Sequence, residues 1–115
     1  IFAVEQPELH VHPAIQSKIA DLFIKEAIVP ARPKLFLLET HSEHLILRIL
    51  RRIRETSAGE TAEGFPDIHP NDVQVIYVDA DENGTKINLL EITPDGDFAQ
   101  RWPNGFFRER EEDLF

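Results

Sequence analysis

Two short apolar runs, each closed by an acid, constrain this chain more than any other feature. Ile1-Phe-Ala-Val leads into Glu5, and Leu35-Phe-Leu-Leu leads into Glu39. A continuous apolar run without alternation fits a parallel strand covered on both faces. Between the runs, Ile15, Ile19, Leu22, Phe23 and Ala27 recur at helical spacing, with Gln16, Lys18, Asp21 and Lys25 between them. Strand, helix and strand in that order make a βαβ unit. Open α/β sheets bind ligands in the crevice beyond the carboxyl ends of their strands. The polar residues after each run therefore mark the candidate site.

The punctuation agrees with that layout. Pro7 and Pro13 interrupt regular structure, and Pro13 suits the first position of a helix, where its missing N–H costs nothing. Pro30 and Pro33 end the helix. Thr40 and Glu43 fit a capping box at the start of the next one. Its buried stripe is Leu45, Ile46, Ile49, Leu50 and Ile53, with Arg48, Arg51, Arg52 and Arg54 mainly on the opposite, solvated face.

Residues 56–71 lose the pattern and read as a solvent-exposed loop. The style then changes to an antiparallel meander. Val73–Val78 is a strand, Asn83-Gly84 marks a hairpin turn, and Lys86–Ile92 returns. Pro94-Asp95-Gly96 is another turn, with a short strand near Phe98. Trp102-Pro-Asn-Gly-Phe-Phe107 and the acidic run to Phe115 read as a separate element, docked through Trp102, Phe106 and Phe107.

Composition narrows the class. The 115 residues suffice for one small domain with one core. No apolar stretch reaches the eighteen or so residues of a membrane span, and no secretory leader is visible. Cysteine is absent, which excludes disulfides and thiolate metal sites and permits a reducing compartment. A net charge of −9 argues against a nucleic-acid coat, although the arginine cluster could face a partner. The chain starts with Ile inside an apparent strand, so we expect a fragment of a longer protein.

Several residues carry possible chemistry. An acid at the end of a buried strand is expensive unless paired or metal-bound, and phosphoryl-transfer sites use such a carboxylate to hold Mg²⁺. Glu5 fits that role, or is simply a cap or a surface acid. Gln6 can orient a water but cannot take its proton; Glu8 is the nearest carboxylate able to act as a base. His10 and His12 form an H-x-H pair, which in an extended segment would suit a transition metal; otherwise they are turn residues. If the strands are neighbours, His41 can reach the same crevice as Glu5 and donate to a phosphate oxygen, or it merely packs at a helix start.

Phe2-Ala-Val-Glu-Gln-Pro-Glu-Leu-His-Val-His-Pro13 resembles the Walker B strand and following loop of ABC-like (SMC/RecF/OLD-type) AAA-family ATPases. Leu37-Leu-Glu-Thr-His-Ser-Glu-His-Leu-Ile46 resembles their switch, or H-loop, segment. The tail Trp102-Pro-Asn-Gly-Phe-Phe-Arg-Glu-Arg110 resembles an uncharacterised C-terminal domain of one bacterial subgroup.

The resemblance implies an α/β fold: a partial P-loop NTPase with a parallel βαβ sheet, then an antiparallel β-meander and a short helical tail. It divides the chain into 1–92, the C-terminal half of the ATPase domain, and 93–115, the tail domain. Glu5 would help hold Mg²⁺, and Gln6 would stand where many relatives carry the catalytic glutamate. That departure passes the base role to Glu8 or slows hydrolysis. Leu9 to Pro13 would match the D-loop, and His41 would contact the γ-phosphate of ATP. A cytoplasmic parent would dimerise through its nucleotide-binding domain and act on DNA or an effector protein.

The sequence holds five glycines and no G-x-x-x-x-G-K-[ST] arrangement. Without the backbone nest and lysine of a P-loop, most of a phosphate cradle is missing. The chain alone is therefore expected neither to bind ATP tightly nor to hydrolyse it. Two other readings stand beside this one. One is a non-catalytic dimerisation or interaction module. The other is a metal-dependent hydrolase using His10, His12, Glu5 and His41. A parallel sheet cut at Ile1 would leave unpaired edges, so self-association or marginal stability is expected.

Overall fold

In a computed structural model, residues 1–7, 12–29 and 31–100 are described. The elements run β1 (Phe2–Glu5), α1 (Pro13–Ala27), β2 (Phe36–Glu39), α2 (Glu43–Ser57), β3 (Val75–Asp81) and β4 (Gly84–Leu90). A single 3-10 turn, Pro70–Asp72, precedes β3. The result is a mixed α/β arrangement. β1 and β2 pair in parallel and β3 and β4 pair antiparallel, as two separate two-stranded sheets. Among the described residues no helix is long and apolar enough to cross a membrane. The expected tail element and Pro30 lie outside the described residues.

Helix α1 starts at Pro13, where the fixed φ of proline suits a first turn. It ends at Ala27, with the Ile28 N–H donating to the Ile24 carbonyl. Its inward face differs from the expected stripe. Ala20 and Ile24 are buried, while Ile15 and Leu22 are largely exposed. Charge explains the rotation. Asp21, read as a solvent residue, is turned toward α2 and accepts from Arg48 Nη1 at 2.9 Å and Arg52 Nε at 2.9 Å.

The arginines of α2 are accordingly divided between inside and outside. Arg48 and Arg52 face α1, Arg51 is exposed, and Arg54 donates to the carbonyls of Asp95 and Gly96. Asp21 and, less strongly, Glu55 hold the Arg52 guanidinium above its ordinary pKa; burial opposes them. The stripe of α2 is as expected. Leu45, Leu50 and Ile53 are buried, and Ile46 and Ile49 pack against the same core.

That core gathers α1, residues 68–75, the β3–β4 hairpin and the 92–98 segment onto α2. Ile24 from α1, Leu50 and Ile53 from α2, Ile68, and Ile92 form one buried cluster, joined by Val73, Val75 and Phe98. Leu90 packs beside it with Leu47 and Tyr77. The segment expected as a solvent-exposed loop, 56–71, is mostly exposed, but α2 takes its first two residues and its far end is anchored. Ile68 is only 2% exposed, and its N–H donates to Thr56 Oγ1 at 3.0 Å. Phe65 lies under two cations, with Lys25 Nζ 4.2 Å and Arg52 Cζ 4.0 Å from its ring centre. A single apolar residue among polar neighbours has no periodicity to reveal it, yet Ile68 pins the segment.

The sheets are covered on one side. Phe2 and Phe36 stack at 5.4 Å, and Phe23 of α1 meets Phe36 edge-on at 5.2 Å. On the opposite face Leu35 and Leu37 are exposed, and Ile1 is 90% exposed. Burial on both faces was expected; among the described residues, nothing packs on the second. The hairpin behaves likewise. Val75, Tyr77 and Leu90 turn toward α2, while Ile76, Val78, Ile87 and Leu89 are exposed.

Strand limits shift by a few residues. β3 begins at Val75 and β4 ends at Leu90, after which Ile92 and Phe98 form an isolated antiparallel bridge. Asp81 pairs with Gly84, so the hairpin loop is Glu82-Asn83 rather than Asn83-Gly84. Gly84 takes φ +115°, which places the left-handed conformation on a residue without a Cβ.

Candidate functional site

The two strand ends lie side by side. β1 and β2 run in parallel with Phe2 opposite Phe36, Ala3 opposite Leu37, Val4 opposite Leu38 and Glu5 opposite Glu39. The Gln6 N–H donates to the Glu39 carbonyl at 2.6 Å, so the pairing continues to the last residue. Register partners point to the same face, which puts the Glu5 and Glu39 carboxylates on the face away from α1. Both residues are exposed. Like charges directly across a strand pair repel. Glu39 had no role assigned from sequence; a run ending in an acid does not reveal which residue will stand across from it.

Gln6 turns the chain out of β1 at φ +45°. Among the described residues it is the non-glycine residue with positive φ, a conformation that costs roughly 1–2 kcal/mol for most side chains. Such strain held beside a candidate site motivates a functional hypothesis. Glu8 and His10 lie outside the described residues. His12 caps α1: its Nδ1 accepts from the Ala14 N–H at 3.1 Å, and its carbonyl accepts from Ile15 and Gln16. One nitrogen of the H-x-H pair is thereby committed to the helix start.

The turn after β2 is built by two hydroxyls. Thr40 Oγ1 accepts from the Ser42 N–H at 2.9 Å, and Ser42 Oγ accepts from the Leu45 N–H at 3.2 Å. Ser42 is therefore the N-cap of α2, in place of the expected Thr40. Thr40 instead bonds two residues ahead, shaping the turn so that Ser42 reaches the cap. His41 sits between them and is exposed. Glu5, Glu39, Gln6 and the His41 turn thus share one end of the β1–β2 pair.

What this set can do follows from its donors. Two carboxylates on adjacent strands are hard oxygen ligands, the kind Mg²⁺ takes singly or in pairs while keeping waters and substrate phosphates. Among the described residues there is no group of three or more His, Asp or Glu side chains arranged to hold a metal ion.

No curated protein and no solved structure matches the chain. A family model described as "Protein of unknown function (DUF3696)" matches residues 68–115, a span that includes the β3–β4 hairpin and the tail but not the strand-end site.

Proposed function

We propose that the chain is the C-terminal half of an ABC-like ATPase domain, carrying the Walker B and switch-histidine segments of a nucleotide site whose phosphate-gripping loop is contributed elsewhere. The observation that carries this reading is the parallel pairing of β1 with β2, with Glu5 in register with Glu39 and the His41 turn leaving the same end. Support also comes from the family match over the segment that includes the tail resemblance.

In this reading Glu5 would hold Mg²⁺, with Glu39 in register beside it. Bound Mg²⁺ would neutralise charge on the phosphates. His41 donates a hydrogen bond to a terminal phosphate oxygen. Gln6 orients the attacking water and, lacking basicity, leaves proton removal to Glu8. The parent dimerises through this domain and transmits the cycle to DNA or an effector protein. A non-catalytic interaction module is the second reading, favoured by the exposed apolar residues Ile76, Val78, Ile87 and Leu89 on one hairpin face.

The test is MgATP turnover by the parent polypeptide with single replacements. Glu5→Gln and His41→Ala are expected to lower kcat by roughly tenfold or more, the equivalent of losing one charge-assisted hydrogen bond. Glu8→Ala does the same if Glu8 is the base. A parent with no turnover, or one indifferent to both Glu5 and His41, would sink the reading.

A further inference from the structure

The loops leaving the two strand ends are joined by a side-chain hydrogen bond that sequence patterning did not reveal. Ser42 Oγ donates to Gln16 Oε1 at 2.7 Å, across 26 residues of chain. Ser42 is 6% exposed, so its hydroxyl has little water to turn to. Its oxygen also accepts the Leu45 N–H, and its backbone N–H is held by Thr40 Oγ1. Three bonds therefore fix the residue that follows His41, and one of them comes from α1.

Gln16 lies in the first turn of α1. Its own N–H donates to the carbonyl of His12, the residue that caps that helix. A continuous set of hydrogen bonds thus runs from the helix start after β1 to the helix start after β2. Further along the same helices, Asp21 holds both Arg48 and Arg52. α1 and α2 are thus tied at a second point, separate from the Gln16–Ser42 bond.

We propose that Gln16 is a positioning residue: through Ser42 it sets the turn that carries His41 relative to the end of β1. The proposal rests on the reading above in that His41 contacts a phosphate; the bond network stands apart from it. A Gln16 side chain that only filled space between helices would be replaceable by any residue of similar size. A positioning role requires an acceptor at that point.

The test pairs an isosteric loss with a rescue. Gln16→Leu keeps bulk and helix propensity but removes the acceptor; Gln16→Glu restores it. Two-dimensional NMR of the 115-residue chain follows amide exchange at Ser42 and the imidazole signals of His41. Gln16→Leu is expected to speed Ser42 exchange roughly fivefold or more and to shift the His41 signals. Gln16→Glu should return both toward wild type. Asp21→Asn, which loosens the helix pair without touching Ser42, should lower Tm while leaving the His41 signals in place.

Should Gln16→Leu fail to fold, Gln16→Ala provides the same loss of acceptor. Wild-type exchange and His41 signals in the acceptor-less variant, or a Gln16→Glu chain that behaves like Gln16→Leu, would overturn the proposal. In the parent, Gln16→Leu is expected to lower kcat with KM little changed, and Gln16→Glu to restore it. A parent inactive toward MgATP in every form would remove the ATPase reading and leave the NMR outcome to decide the positioning role.

Discussion

The helix pair and the strand pairs of this chain differ in how they are supported. α1 and α2 bury Ala20, Ile24, Leu45, Leu50 and Ile53 and are cross-tied by Asp21 to Arg48 and Arg52. Each strand pair has one face on the helices and leaves apolar residues of the other in the open. Stability therefore resides in α2 and what packs on it, while the candidate site sits at the end of a two-stranded sheet held mainly from one side. Such sites gain precision from the helices that anchor their loops rather than from the sheet. That is why Pro13, His12, Ser42 and Gln16 matter to the geometry around Glu5 and His41.

The largest effect that would sharpen this contrast is in the helical core. Ile53 is 1% exposed at the centre of the buried cluster. Ile53→Ala should cost about 2–5 kcal/mol in chemical denaturation, enough to unfold a marginal chain. A loss below about 1 kcal/mol would mean that α2 is not the centre of stability.

Next is the clamp between helices. Asp21→Asn leaves two partly buried guanidinium groups with a weaker acceptor and should cost about 1.5–3 kcal/mol by the same measurement. An unchanged midpoint would show the ion pairs to be surface decoration, which typically contributes under about 1 kcal/mol.

Gly96 comes third. A Cβ there would lie 2.4 Å from the Leu50 carbonyl oxygen, and its φ is +75°. Gly96→Ala should lower stability by about 1–3 kcal/mol and loosen the 93–97 turn from α2. A neutral substitution would mean that this turn is not seated on the helix.

The open sheet face should be nearly silent. Ile87 is 67% exposed, so Ile87→Thr is expected to change stability by no more than about 0.5 kcal/mol while reducing self-association in light scattering. A loss above about 1 kcal/mol would show that something covers that face and would break the contrast.

The smallest effect concerns pH. The Lys34 ammonium, hydrogen-bonded at 2.9 Å, holds the exposed Glu26 carboxyl below the ordinary carboxylate range. A depressed carboxyl pKa stabilises the fold above the ordinary value, and that contribution fades as pH falls through the lower, folded value. Glu26→Gln should therefore flatten the acid limb of a stability–pH curve slightly. An unchanged acid limb would leave this tie with no measurable part in stability.

Much of this layout was legible because proline, capping and periodicity act locally. Pro13 opens α1, the helix closes before Pro33, and the α2 stripe is buried as its spacing predicts. The hairpin was legible from Asn83-Gly84, although Gly84 serves just after the loop rather than within it. What stayed hidden depends on long-range placement. An apolar run shows that a strand wants cover, not whether cover is present, so Leu37 and Ile1 read as buried. Asp21 and Arg52 read as solvated because their partners are 31 residues apart in sequence. At the site, Glu5 and Glu39 stood out as the acids that close the two apolar runs, and His41 as the histidine of the turn that follows, but the register that sets Glu39 across from Glu5 was not legible. Ser42 and Gln16 did not stand out, because a cross-helix hydrogen bond gives them their places.

The central claim is that the strand-end site is one part of a nucleotide site completed by residues outside this chain. Isothermal titration of MgATP into the 115-residue chain and, separately, into the parent polypeptide tests it most directly. Micromolar binding by the parent, weakened about tenfold or more by Glu5→Gln, with none by the isolated chain, is the predicted result. Micromolar binding by the isolated chain, or a parent that does not bind MgATP, would contradict it.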